Sequence, residues 1–156
     1  MSELKKQCNE KFGERQAARK EQGETMFTNS DPGYLTPHFK LTEFTASATA
    51  TRKQIANVPT QTEVENIRNL CTKVLEPLRE FAGRPIRITS GFRSAALNKA
   101  VGGAPSSQHL KGEAADIHVD SPRQARGWME WMMDNCEFDQ LILEQSPTAL
   151  QCTHCF

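Results

Sequence analysis

An α+β fold, with helices flanking an antiparallel sheet, is what this sequence predicts, and three observations carry the prediction. Two stretches, PTQTEVENIRNLCTKVLEPLREFAG and SPRQARGWMEWMMDNCEF, read as helices. Around them lie short apolar runs of strand length: RPIRITS, GEAADIHV, FDQLILE and LQCTHCF. The last two are joined by only QSPTA, a hairpin-length connection that favours antiparallel pairing.

The elements follow in order. Residues 1–35 form a polar, charge-dense arm, expected to be helical or disordered, that ends in turn chemistry at TNSDPGYLTP. The folded domain is expected over 36–156, opening at HFKLTEF with Phe39, Leu41 and Phe44 as its first apolar cluster. In the first long helix a capping box is expected from Thr60 and Glu63 or from Thr62 and Glu65. Val64, Ile67, Leu70, Cys71, Val74, Leu75, Leu78 and Phe81 keep the helical period, and Gly83 stops it. Pro77 should kink this helix or tighten its last turn. A strand over Pro85 to Thr89 runs into the loop SGFRS, and SAALNKAVGG makes a short helix or turn. GEAADIHV is the next strand, and Ser121 caps the second long helix with Pro122 at its first position. Trp128 and Trp131 are expected to pack that helix.

A chain of 156 residues can bury a real core without disulfides. Nineteen Lys and Arg balance nineteen Asp and Glu, which argues against a nucleic-acid binder. No apolar run is long enough to span a bilayer, and the N-terminal stretch lacks the apolar segment of a Sec signal peptide. The five cysteines are irregularly spaced, which favours reduced thiols over a disulfide scaffold.

Chemistry concentrates in SSQHLKGEAADIHV. His109 and Asp116 stand seven apart, and Gly112 between them permits a backbone angle that lets a loop histidine curl back onto a strand. Imidazole and carboxylate are sound zinc ligands; a loop histidine and a turn-bonding carboxylate are the structural alternative. In the tail, Cys152, His154 and Cys155 pose a second question. A CxxC redox motif normally opens a helix, and a thiolate zinc site needs a second pair of cysteines. Neither condition is met here.

The pattern Ser107-x-His109-x-x-Gly112-x-Ala114-x-Asp116 resembles the SxHxxGxAxD signature of the zinc D-alanyl-D-alanine peptidases. That family includes D-Ala-D-Ala carboxypeptidases, vancomycin-resistance dipeptidases and phage L-alanoyl-D-glutamate endopeptidases. ITSGFRSAALNKAVGG is similar to the family's SGYRSPALNKAVGG stretch, and FDQLILE to the segment before its last ligand. The likeness runs from about Phe39 to the C-terminus. It implies a hedgehog/DD-peptidase-like fold and a single catalytic zinc held by His109, Asp116 and a histidine of the last strand, here His154. Cys152 stands where the family usually has tryptophan. His118, two beyond Asp116 on the same strand face, is a competing ligand, for which an exposed or supporting role is favoured.

The resemblance places a general base three residues before the last histidine, where this chain has Gln151, which cannot accept a proton. Glu144 of FDQLILE is the expected replacement. Arg93 resembles the family's substrate-facing arginine, suited to a peptide carboxylate or a developing oxyanion, with a structural salt bridge as the alternative. Ser107 and Gln108 are expected to meet the substrate backbone, against a loop-capping role for Ser107. The implied activity is hydrolysis of peptidoglycan stem peptides, with no nucleic-acid partner. Without a Sec signal, a phage lysis or virion-associated protein is expected, made in the cytoplasm and acting on the cell wall, with residues 1–35 as a segment that docks on a virion or tail protein. The alternative is a non-catalytic, zinc-binding structural protein of the same fold.

Overall fold

The computed structural model describes residues 33–143 and 149–153. The arm up to residue 32, Glu144, His154 and Cys155 therefore lie outside the described residues. Tyr34 is bridged to Lys40, and Leu35 is already buried. Two short helices follow, α1 (Leu41–Thr45) and α2 (Ala48–Lys53), where the sequence marked only an apolar cluster. Phe39 and Phe44 do supply that cluster: both are fully buried, and their rings meet edge to face at 6.2 Å. Ser47 caps α2 by accepting from the Ala50 N–H.

Helix α3 (Gln61–Leu70) begins with the first of the two expected capping arrangements, the Thr60 N–H donating to Glu63 Oε2 at 2.6 Å. Glu63→Ala should lower stability by about 1 kcal/mol, a shift of roughly 2–4 °C in a thermal melt. Beyond Leu70 the helix widens into a π turn, Cys71–Leu75, before α4 (Glu76–Ala82). Pro77 explains why the helix widens where a kink or a tightened last turn was expected. In a regular α-helix its ring would strike the Lys73 carbonyl, and it has no N–H to offer that oxygen. The Glu76 N–H instead reaches back five residues to Cys71 O. Ile67, Leu70, Cys71, Val74, Leu75 and Leu78 are buried as the periodicity predicts, and Gly83 ends α4 at φ 65°.

The remaining elements are β1 (Ile88–Ser90), α5 (Ala95–Ala100), a 3-10 turn (Gln108–Lys111), β2 (Ala114–His118), α6 (Pro122–Asn135), β3 (Gln140–Leu143) and β4 (Ala149–Thr153). The first strand falls nearer the SGFRS loop than the Pro85 to Thr89 expected. Ser121 caps α6 through the Gln124 N–H, with Pro122 at the first position. Trp131 of α6 stacks on Phe81 of α4 at 4.6 Å, and both tryptophans are buried as packing residues.

The sheet is antiparallel throughout, in the order β1-β2-β4-β3. Its register positions the chemistry. Ile117 pairs with Leu150 and Ala115 with Cys152, all four buried, so this face of β2 and β4 belongs to the core. Side chains alternate along a strand, so the next row faces the other way. That row runs Ser90, Asp116, Gln151, Ile142 across the four strands.

Candidate metal centre

Three segments meet over that row. The first is the loop after β1, SGFRS. Gly91 sits so close to α1 that a Cβ there would lie 2.7 Å from Phe44 Cα and O. Asn57 fastens the same region, donating to Thr45 O and Phe92 O and accepting from the Ser94 N–H. The second segment is the 3-10 turn that carries His109. It ends at Gly112 with φ 73°, the backbone freedom the sequence pattern required. The Arg93 N–H donates to His109 O at 3.0 Å, joining this turn to the first loop. The third segment is the register pair of Asp116 on β2 and Gln151 on β4.

His109 is almost completely buried, and its Nδ1 lies 2.6 Å from Gly91 O. A carbonyl oxygen only accepts, so Nδ1 carries the proton and the Nε2 lone pair is left facing the strands. Asp116 is buried as well. Its Oδ2 accepts from Arg93 Nη2 at 3.2 Å, while its Oδ1 has no hydrogen-bond partner and stands 3.4 Å from His109 Nε2. Arg93 is steadied from behind by Ser90 Oγ, which accepts from both Nε and Nη2. The salt bridge expected as an alternative role for Arg93 is thus present. It leads to a ligand candidate, and Arg93 also lines a cleft of about 250 Å³ with Ser47, Thr49, Ser90, Leu97 and Val101.

A buried carboxylate oxygen and an imidazole lone pair turned toward each other are two acceptors with no proton between them, an arrangement that a cation satisfies. The chemistry suits zinc: one nitrogen and one oxygen donor, the histidine oriented through its other ring nitrogen onto a carbonyl. His109 and Asp116 are therefore the residues that would hold the metal. Gln151 completes the described surroundings, with Nε2 2.7 Å from His109 Nε2, its amide donating to the lone pair. Among the described residues no group of three or more His, Cys, Asp or Glu gathers as a metal cluster.

The other sequence candidates divide. His118 pairs with Asp120 at 3.2 Å. Asp120 in turn takes a 2.6 Å bond from Arg84, which holds its carboxyl below the ordinary value. His38 is tied to Glu76 by its backbone N–H and by Nδ1. Ser107 stands at the entrance of the 3-10 turn without a side-chain capping bond, and Gln108 accepts a backbone bond from Glu113.

Cys152 lies on the core face, fully buried, its Sγ 3.6 Å from Ala115 O. Burial, aided by the Asp116 charge, pushes its thiol up to about 12 from an ordinary 9.0, and burial pushes Cys136 up to about 11. Thiolate chemistry at Cys152 is therefore disfavoured. The sign follows directly: the folded state favours the neutral thiol, so its contribution is complete below pH 9 and is lost as pH rises toward 12. Iodoacetamide at pH 8 should leave Cys152 unmodified in the folded protein and label it after denaturation, as read by peptide mass spectrometry.

Sequence reasoning missed Gly91, whose carbonyl selects the His109 tautomer, as well as Ser90 behind Arg93 and the Asn57 fastening. Their signal was only the SGFRS stretch itself, since backbone carbonyls leave no mark in side-chain chemistry.

The fold and this pair define an α+β protein with an imidazole and a carboxylate facing each other between a sheet and two loops. The sequence profile of the peptidase M15 family matches residues 37–146, most of the chain. The chain belongs to that family. Over 48 residues it is 44% identical to the zinc D-Ala-D-Ala carboxypeptidase of Streptomyces albus G; the matched stretch is 30% of this chain and 19% of that protein.

Proposed function

We propose that the chain is a zinc metallopeptidase that cleaves peptidoglycan stem peptides. One observation carries the reading: in a chain of the peptidase M15 family, the His109 Nε2 lone pair and the partnerless Asp116 Oδ1 converge in a buried site. The name of the Streptomyces relative supports the metal and the substrate class. Zinc, when bound, supplies a Lewis acid that polarises a carbonyl and lowers the pKa of water.

The chain's own residues do the rest. Gly91 O keeps the His109 ring in the tautomer that exposes Nε2. Arg93 neutralises Asp116 through Nη2, and its position in the cleft wall suits a substrate carboxylate or a developing oxyanion. Ser107, beside the same turn, offers a hydroxyl to the substrate backbone. His154 is the third ligand in this reading.

Gln151 faces His109 where a base would be useful, and an amide cannot take a proton. Glu144 is the base in this proposal. It follows by two residues Ile142, which shares a register row with Gln151 and Asp116. The test is release of D-alanine and of new amines from purified peptidoglycan by the zinc-loaded protein. Glu144→Gln should retain zinc and lose roughly a hundredfold or more in rate; an unchanged rate would remove Glu144 from the mechanism.

Peptidoglycan lies outside the cytoplasmic membrane, and the protein would act there. A phage lysis or virion-associated role fits, with residues 1–35 as the docking segment. Among the described residues no helix is long and apolar enough to cross a membrane. The contact between Gln151 and His109 favours a second reading, a zinc-binding protein of this fold without hydrolytic activity. Bound zinc with no product from any stem peptide would select it.

A further inference from the structure

We propose that Gln151 is a latch on the metal site: its amide caps the His109 lone pair in the metal-free protein and must let go before zinc can bind there. This rests on the zinc reading above but concerns a different equilibrium. The Nε2 lone pair of His109 is a single acceptor. Nδ1 is committed to Gly91 O, so the ring cannot turn over to offer its other nitrogen. The Gln151 amide sits on that lone pair at 2.7 Å. A zinc ion and an N–H donor cannot share it.

The sheet makes the latch specific. Gln151 is the register partner of Asp116, so the residue that caps one ligand stands directly opposite the other in the β2–β4 ladder. Asp116 Oδ1 has no hydrogen-bond partner while the Gln151 amide lies on His109. The closed site thus satisfies the nitrogen ligand and leaves the oxygen ligand waiting. Zinc replaces one hydrogen bond and relieves one orphaned oxygen, and it frees the Gln151 amide beside the place where substrate would lie. Gln151 is a positioning residue in this account, acting through His109.

The test compares zinc affinity, by competition with a chromophoric chelator, for the full-length wild type, Gln151→Ala and Gln151→Met. Methionine keeps the side-chain length and removes the donor, which guards against a packing effect of alanine. Both variants should bind zinc about 2- to 10-fold more tightly, the equivalent of one neutral hydrogen bond no longer competing. In parallel, NMR of the metal-free wild type should show a shifted Gln151 side-chain amide that returns toward the free position when zinc is added. Equal or weaker zinc binding by both variants overturns the latch, as does an amide signal that zinc does not move. Zinc bound by wild type and lost in His109→Ala, without tightening in the Gln151 variants, sinks the latch and leaves the metal site standing. Failure of every form to bind zinc sinks both.

Discussion

Replacing His109 with alanine is expected to abolish zinc binding and reduce hydrolysis to the uncatalysed background. Among the described residues the imidazole is the nitrogen donor that faces Asp116, and neither His118 nor Gln151 can take its place. His118 is held by Asp120, and Gln151 offers a donor hydrogen where a lone pair is needed. The same change leaves Gly91 O buried without its partner, at a cost of about 1–3 kcal/mol. Loss of metal and loss of fold must therefore be read separately. Elemental analysis gives the zinc content, and thermal unfolding of the metal-free proteins gives the stability difference. A variant that melts a few degrees lower yet remains folded, with no zinc and no product, is the expected outcome. Retained zinc would show that the metal sits elsewhere.

The second large effect is structural and sits three residues further on. Gly112→Ala should destabilise the protein by about 2–5 kcal/mol, enough at the upper end to threaten folding. Two costs combine. At φ 73° an L-residue pays backbone strain of about 1–2 kcal/mol. The added Cβ would also lie 2.6 Å from Glu63 O and 3.0 Å from Ile67 Cγ1, on the buried side of α3. Gly102 provides the control, with φ 74° but nothing within 4 Å of a Cβ. Gly102→Ala should show the strain alone, and the difference between the two urea midpoints measures the packing term. If both variants lost the same stability, the turn would not be wedged against α3 as described.

The contrast between those glycines also shows what the sequence could reveal. The pattern His109-x-x-Gly112 announced a left-handed turn because only local backbone geometry was at stake. The long helix, its Thr60–Glu63 cap and the Gly83 stop were legible for the same reason, as was the antiparallel order of the last two strands. Gly91 was not legible, because its smallness serves Phe44, a residue 47 positions earlier that nothing local connects to it. The contact of Gln151 with His109 was hidden in another way. It depends on the register of β4 against β2, and a one-residue slip would have sent Gln151 to the core and Cys152 to the site. The helices α1 and α2 escaped notice because LTEFT and ATATRK are too short and too rich in threonine to show a helical period. His109 and Asp116 were found by their chemistry; what holds them was found only in three dimensions.

The strand order β1-β2-β4-β3 bears on how the molecule comes into being. As the chain emerges from a ribosome, β3 is made before β4, yet it pairs with β4 alone. Until β4 has been synthesised, β3 has no partner strand and must wait unpaired. The helices and the β1–β2 pair can gather early, while β4, carrying β3 with it, docks beside β2 in a later, longer-range step of the kind that slows folding. Gln151 and its row come into register with Asp116 only at that moment. A nascent chain that carries both His109 and Asp116 is still not a finished binding site, and metal captured before that moment would meet a half-built one.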